Sequence, residues 1–144
     1  GMKMNVIAHD KFVSSPVDEF HQVELVSMDQ ILLESDFVCL CCNMSEDNVH
    51  LFSENTFKKM KHTAVIINVA RGPLIDEKAL IHALNNGIIA GAGLDVFETE
   101  PLATNNVLLQ YDNVVLGSHN ANNLISATEY VHQNTLTNLR SVLG

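Results

Sequence analysis

Short runs of apolar, often β-branched residues alternate with segments of helical periodicity along the whole chain, and that alternation is the pattern of a parallel sheet with helices packed on it. Val6 to Ala8 predicts a first strand, ending at His9 and Asp10. Ser15-Pro16 then places an N-cap and a proline at the first turn of a short helix, with Asp18 and Glu19 suited to its dipole. Val23 to Val26 predicts a second strand, and Ser27 caps a helix carrying Ile31, Leu32 and Leu33. Phe37 to Cys41 predicts a strand that is apolar on both faces, as buried parallel strands are.

Further along, Ser53 opens a helix through Phe57 and Met60, and Ala64 to Val69 is a β-branched strand that Arg71-Gly72-Pro73 breaks. Asp76 caps a helix in which Ala79, Leu80, Ala83 and Leu84 recur on one face, and Gly87 stands where a left-handed residue ends it. Ile88 to Val96 and Val114 to Leu116 predict two more strands. Asn123 to Leu143 predicts a long helix, with Ile125, Val131, Leu136 and Leu139 available for one face.

At 144 residues and 47% hydrophobic, the sequence fits one globular domain. The formal net charge is -9, and the eight Lys and Arg are scattered apart from Lys58, Lys59 and Lys61, which argues against nucleic acid as a partner. No apolar run is long enough for a bilayer and the start lacks the order of a secretory signal, so no membrane partner and a cytoplasmic location are expected. Cys39, Cys41 and Cys42 have no distant cysteine to pair with, and their spacing matches no zinc pattern. No metal is expected, and the thiols read as space-filling in a buried strand.

Several polar residues stand where strands end, the edge at which doubly wound sheets bind ligands. Arg71 follows the strand ending at Val69, and a guanidinium there can fork onto a carboxylate. His119 follows Val114 to Leu116 and suits proton transfer near neutral pH, although composition alone does not set it above the other six histidines. Glu98 and Glu100 follow the strand ending at Val96, and a carboxylate in reach of an imidazole holds its tautomer. Their positions do not choose between them. Asp10 reads either as an ordinary turn aspartate or as a carboxylate for ribose hydroxyls.

Four strings occur in an order more specific than any generic α/β domain. They are Val6-Ile7-Ala8-His9-Asp10, Ile67-Asn68-Val69-Ala70-Arg71-Gly72, Gly93-Leu94-Asp95-Val96-Phe97-Glu98-Thr99-Glu100-Pro101, and Ser118-His119. In this arrangement the chain resembles the D-isomer-specific 2-hydroxyacid dehydrogenases, of the phosphoglycerate dehydrogenase-like kind. The resemblance implies an oxidoreductase that moves a hydride between NAD and a small 2-hydroxy or 2-keto acid, such as a phosphoglycerate-type or glycerate-type substrate, in a homo-oligomer. It implies Arg71, Glu100 and His119 as catalytic residues, selecting Glu100 over Glu98 and leaving Glu98 solvated. It places Asp10 on the adenosine ribose, favouring NAD over NADP, and Asp95 on the nicotinamide amide. Cys41, Cys42, Asn43, Val69, Ala70 and Ala121 resemble the other cofactor contacts. The segment Ser118-His119-Asn120-Ala121-Asn122 departs from the family, which commonly has proline before the histidine and an apolar residue then glycine after it.

The glycine loop that cradles a pyrophosphate belongs roughly 20 residues before Asp10, and only nine residues precede it. Gly91-Ala92-Gly93 does not substitute, because it lies within a strand and reads as close packing. The expected fold is therefore α/β, a doubly wound, Rossmann-like parallel sheet truncated at its N-terminus and lacking the first central strand. Residues 1–144 would be a partial NAD-binding domain with the substrate domain absent, inactive in isolation. Either the chain is part of a longer protein, or the bare inner edges pair with each other or with another copy. The alternative function is a non-catalytic, NAD-sensing interaction protein on the same fold.

Overall fold

The computed structural model describes residues 3–13, 23–121 and 123–143, so the helix expected after Ser15-Pro16 lies outside the described residues. Strands β1 (Ile7–Ala8) and β2 (Glu24–Leu25) pair in parallel. Helix α1 (Met28–Glu34) leads to β3 (Phe37–Leu40), α2 (Glu54–Phe57) to β4 (Val65–Asn68), and α3 (Glu77–Asn85) to β5 (Gly91–Leu94). Strand β6 (Val114–Leu116) and helix α4 (Ile125–Leu143) follow. Strands β3-β4-β5-β6 form a second, wholly parallel sheet in sequence order. The described strands thus make two separate sheets, and the direct pairing of β1 with β3 that the sequence left open does not form.

Local chemistry sets the helix boundaries. The Ser27 hydroxyl accepts the Gln30 amide at 3.2 Å, and the Asp76 carboxylate accepts those of Lys78 and Ala79 at 3.0 and 3.2 Å, removing orphan donors from α1 and α3. Helix α3 ends in a Schellman arrangement: the Gly87 amide donates to Leu84 and the Ile88 amide to Ala83, with Gly87 at φ +61°.

Helices α1, α2 and α3 cover the same face of the larger sheet. Leu32, Phe57, Leu80, Ala83 and Leu84 pack in one core with Val38, Leu40, Ile66, Ala92 and Leu94 of the strands. The opposite face corrects the expectation of strands buried on both sides. Phe37 is 58% exposed and Val115 74%, and Cys39, on the same strand as Phe37, is exposed too, because no described helix packs there. Helix α4 likewise buries none of its side chains among the described residues, and Ile125, Val131, Leu136 and Leu139 are all more than half exposed. No described helix is long and apolar enough to cross a membrane. The Lys58, Lys59 and Lys61 cluster pairs with Glu54, Asp29 and Asp36 at 2.6, 2.7 and 2.9 Å, tying α2 and its following turn to α1 and the start of β3.

Candidate active site at the sheet edge

The strands of the larger sheet end level. Leu40 is in register with Asn68, Asn68 with Leu94, and Leu94 with Leu116. The loops that leave them gather along one edge, bringing Cys41 to Asn43, Val69 to Arg71, Asp95 to Glu100 and residues 117–121 together, where open parallel sheets bind ligands.

The Arg71 turn is built by Asn68, a residue that motif reading passed over. Asn68 is 1% exposed, and a buried amide must find partners for its donors and acceptor. It finds them locally: its oxygen accepts the Ala70 amide at 3.0 Å and its nitrogen donates to the Arg71 carbonyl at 2.9 Å. The exposed Arg71 guanidinium donates back to the Ala70 carbonyl through Nη1 at 2.6 Å. Gly72 then presses the turn against the next loop. A Cβ at Gly72 would stand 1.9 Å from the Phe97 carbonyl oxygen.

That next loop carries Glu100. Its Oε1 accepts the Phe97 amide at 3.0 Å, and its Oε2 meets Nδ1 of His119 at 2.7 Å. His119 sits at φ +58°, a left-handed conformation that costs a non-glycine residue free energy and that histidine adopts more readily than most. Asp95 holds it there. The Asp95 carbonyl accepts the His119 amide at 2.8 Å, and its carboxylate accepts those of Asn120 and Ala121 at 3.0 and 2.8 Å. Gly117 makes room for this clamp, since a Cβ there would lie 2.2 Å from the Asp95 carboxylate. Of the two glutamates the sequence left open, it is Glu100 that touches His119. Glu98 pairs with His50 Nε2 at 2.6 Å while staying open to water, at 30% side-chain exposure.

The cofactor-side residues divide. An open cleft of about 630 Å³ is lined by Met44 and by Cys41, Cys42, Asn43, Val69, Ala70 and Arg71. Its volume suits a cofactor site, and apolar walls beside a guanidinium fit a flat ring carried on an anionic nucleotide. Asp10 lies apart, at the end of β1, where its Oδ1 accepts the Phe12 and Val13 amides at 2.7 and 3.1 Å. Asp10 therefore already acts as a turn aspartate, whatever else it binds. The thiols correct a second expectation: Cys39, Cys41 and Cys42 are exposed rather than filling a buried strand. Partial desolvation of the Cys39 sulfur, with Cys41 Sγ 3.7 Å away, pushes its thiol up to about 11, so it stays protonated near neutral pH.

Residues 1–121 match the family model described as D-isomer specific 2-hydroxyacid dehydrogenase, NAD binding domain. The chain belongs to this family. It is 41% identical over 144 residues to a probable 2-ketogluconate reductase of Dictyostelium discoideum, covering 100% of this chain and 43% of the relative. A glyoxylate reductase of Thermofilum pendens is 44% identical over 121 residues, 84% of this chain and 36% of its own length. The NAD-complexed D-isomer specific 2-hydroxyacid dehydrogenase of Lactobacillus delbrueckii ssp. bulgaricus superposes with a TM-score of 0.79 at 31% identity, over 96% of this chain and 45% of its own. The chain thus spans less than half the length of these relatives. Its larger sheet is that of a Rossmann-like domain of the NAD-binding type.

Both carboxylates of the edge are held below their ordinary range. Hydrogen bonding to His119 lowers Glu100 first, and the Phe97 amide adds to it. For Asp95, burial pushes upward, but the Ala121 and Asn120 amides outweigh it. A carboxylate whose folded pKa lies below its unfolded value contributes stability that is present above the unfolded value and lost as pH falls through the folded one. The 117–121 loop should therefore loosen in acid, below the ordinary values of 4.5 for Glu100 and 3.8 for Asp95. Asp95→Asn, which cannot accept both amides, should melt lower than wild type at neutral pH, with the gap closing as pH falls below the ordinary aspartate value. A gap that stays constant across that range would show that the Asp95 charge does not hold the loop.

Proposed function

We propose that this chain supplies the cofactor-binding side of an enzyme that moves a hydride between NAD and the C2 carbon of a small 2-hydroxy or 2-keto acid. The contact between His119 Nδ1 and Glu100 Oε2, at the C-terminal edge of a parallel sheet, carries the reading. When bound, NADH would supply the hydride; the chain's own residues would do the rest.

Arg71 would fork onto the substrate carboxylate and polarise the neighbouring carbonyl. The Glu100 carboxylate accepts from Nδ1–H of His119, so the proton to be exchanged sits on Nε2, on the far side of the ring. In reduction Nε2–H gives its proton to the oxygen as negative charge develops there, and in oxidation neutral Nε2 takes it back. Glu100, kept ionised by these contacts, stabilises the charged imidazole between turnovers. Cys41, Cys42, Asn43, Val69 and Ala70 would wall the cofactor, with Asp95 and Ala121 beside the nicotinamide and Asp10 on the ribose, where its charge would disfavour a 2′-phosphate. A cytoplasmic homo-oligomer belongs to the same reading. The relatives named as glyoxylate and 2-ketogluconate reductases make short 2-keto acids the first substrates to try.

The test compares the 144-residue chain with a completed enzyme, in which it replaces the matching segment of the Thermofilum pendens glyoxylate reductase. NADH oxidation is followed with glyoxylate, hydroxypyruvate, 3-phosphohydroxypyruvate and 2-ketogluconate. Turnover of at least one by the completed enzyme, and none by the short chain, is the expected result. A completed enzyme that folds, binds NADH and reduces none of them would refute the proposal, and turnover by the short chain would show that it needs no further domain.

A further inference from the structure

The Glu100 loop is gripped by a second imidazole–carboxylate contact that the proposed chemistry does not use. His50, between β3 and α2, meets Glu98 Oε1 through Nε2 at 2.6 Å. Like His119, His50 has a left-handed backbone, at φ +55°, and its amide donates to the Pro73 carbonyl at 2.8 Å. Glu98 in turn donates its amide to Glu77 Oε1 at 2.7 Å, at the start of α3. The loop from Phe97 to Glu100 therefore touches four separate elements: the Gly72 turn, the His50 loop, the start of α3, and His119.

We propose that His50 and Glu98 are a positioning pair, which locks the 97–100 loop onto the Arg71 turn and so keeps Glu100 in line with His119. The inference rests on the proposed function for its catalytic consequence, but not for its structural one. Side-chain exposures of 46% and 30% decide against stability as the pair's main contribution, because ion pairs open to water add little. Geometry is what the pair supplies. Two strained histidines, each paired with a glutamate of one short loop, over-determine that loop, and backbone strain persists where the surroundings do so. A displaced Glu100 would leave His119 free to rotate, and small misplacements of a proton-transfer group cost rate heavily.

Amide exchange in the 144-residue chain provides the readout that needs no activity. His50→Ala should speed exchange of the Phe97 amide, which donates to Glu100, about 10-fold, leaving the Ala92 amide in β5 unchanged. In the completed enzyme it should lower kcat about 10-fold with KM for NADH unchanged. His50→Gln, whose amide can still donate to Glu98, should restore most of both. Should His50→Ala not fold, Glu98→Ala removes the same contact from the other side and should give the same two changes. Unchanged Phe97 exchange, equal acceleration at Ala92, or an unaltered kcat would each overturn the proposal. A wild-type completed enzyme without turnover would instead refute the proposed function, and the exchange measurement would still decide the pair.

Discussion

His119→Ala in the completed enzyme is expected to lower kcat on the order of 10² to 10⁴-fold, the usual contribution of a positioned general acid–base group, with NADH affinity nearly unchanged. Two features of the site justify the size of the effect. The ring is fixed at Nδ1 by Glu100, and among the described residues His50 is engaged with Glu98 and His9 with the Val26 carbonyl. The backbone complicates interpretation of the alanine variant alone. At φ +58° alanine adds conformational strain that asparagine largely avoids, so His119→Asn separates lost chemistry from a disturbed loop. Initial rates with fluorescence titration of NADH check both variants. Turnover near the wild-type level in either would remove His119 from the mechanism.

Gly72→Ala should be the most damaging small substitution in the fold. The added Cβ would lie 1.9 Å from the Phe97 carbonyl oxygen and 2.0 Å from its carbon, and both are backbone atoms that no rotamer change can move aside. Overpacking against a fixed neighbour costs about 3 kcal/mol. For a chain of this length that lowers the melting temperature by about 10 °C. Gly87→Ala is the matched comparison: Gly87 has φ +61° but open space around its missing Cβ, so only conformational strain of about 1 kcal/mol applies. Thermal unfolding followed by circular dichroism reads both. Equal melting temperatures for the two variants would mean that the Arg71 turn and the Phe97 loop are not in close contact.

The elements that local chemistry specifies were legible in the sequence. Asp76 and Gly87 bracket α3 because a carboxylate cap and a left-handed glycine act within a few residues. Arg71, Glu100 and His119 were singled out through matched strings, and the fold brings Glu100 and His119 into contact. What the sequence hid depends on distant partners. Phe37, Cys39 and Val115 read as buried because they are apolar or small, yet no described element covers their side of the sheet. The choice between Glu98 and Glu100 also needed the fold, since His50 lies 48 positions from the one and His119 19 from the other. Asn68 gave a faint signal, as the one polar residue in a β-branched strand. Gly117 gave none, because the Asp95 carboxylate it accommodates comes from another strand.

The division into two sheets has a consequence for how cofactor choice could change. Asp10, proposed to read the adenosine ribose, sits on the β1–β2 pair, while Arg71, Glu100 and His119 stand on loops of the four-stranded sheet. No strand hydrogen bond joins the two supports among the described residues. The residue proposed to hold the ribose and those proposed to move the proton are therefore presented from the ends of different strands. A substitution at Asp10 that alters the preference between phosphorylated and unphosphorylated riboses thus removes no hydrogen bond of the Glu100–His119 pair, because the two sites share no partner.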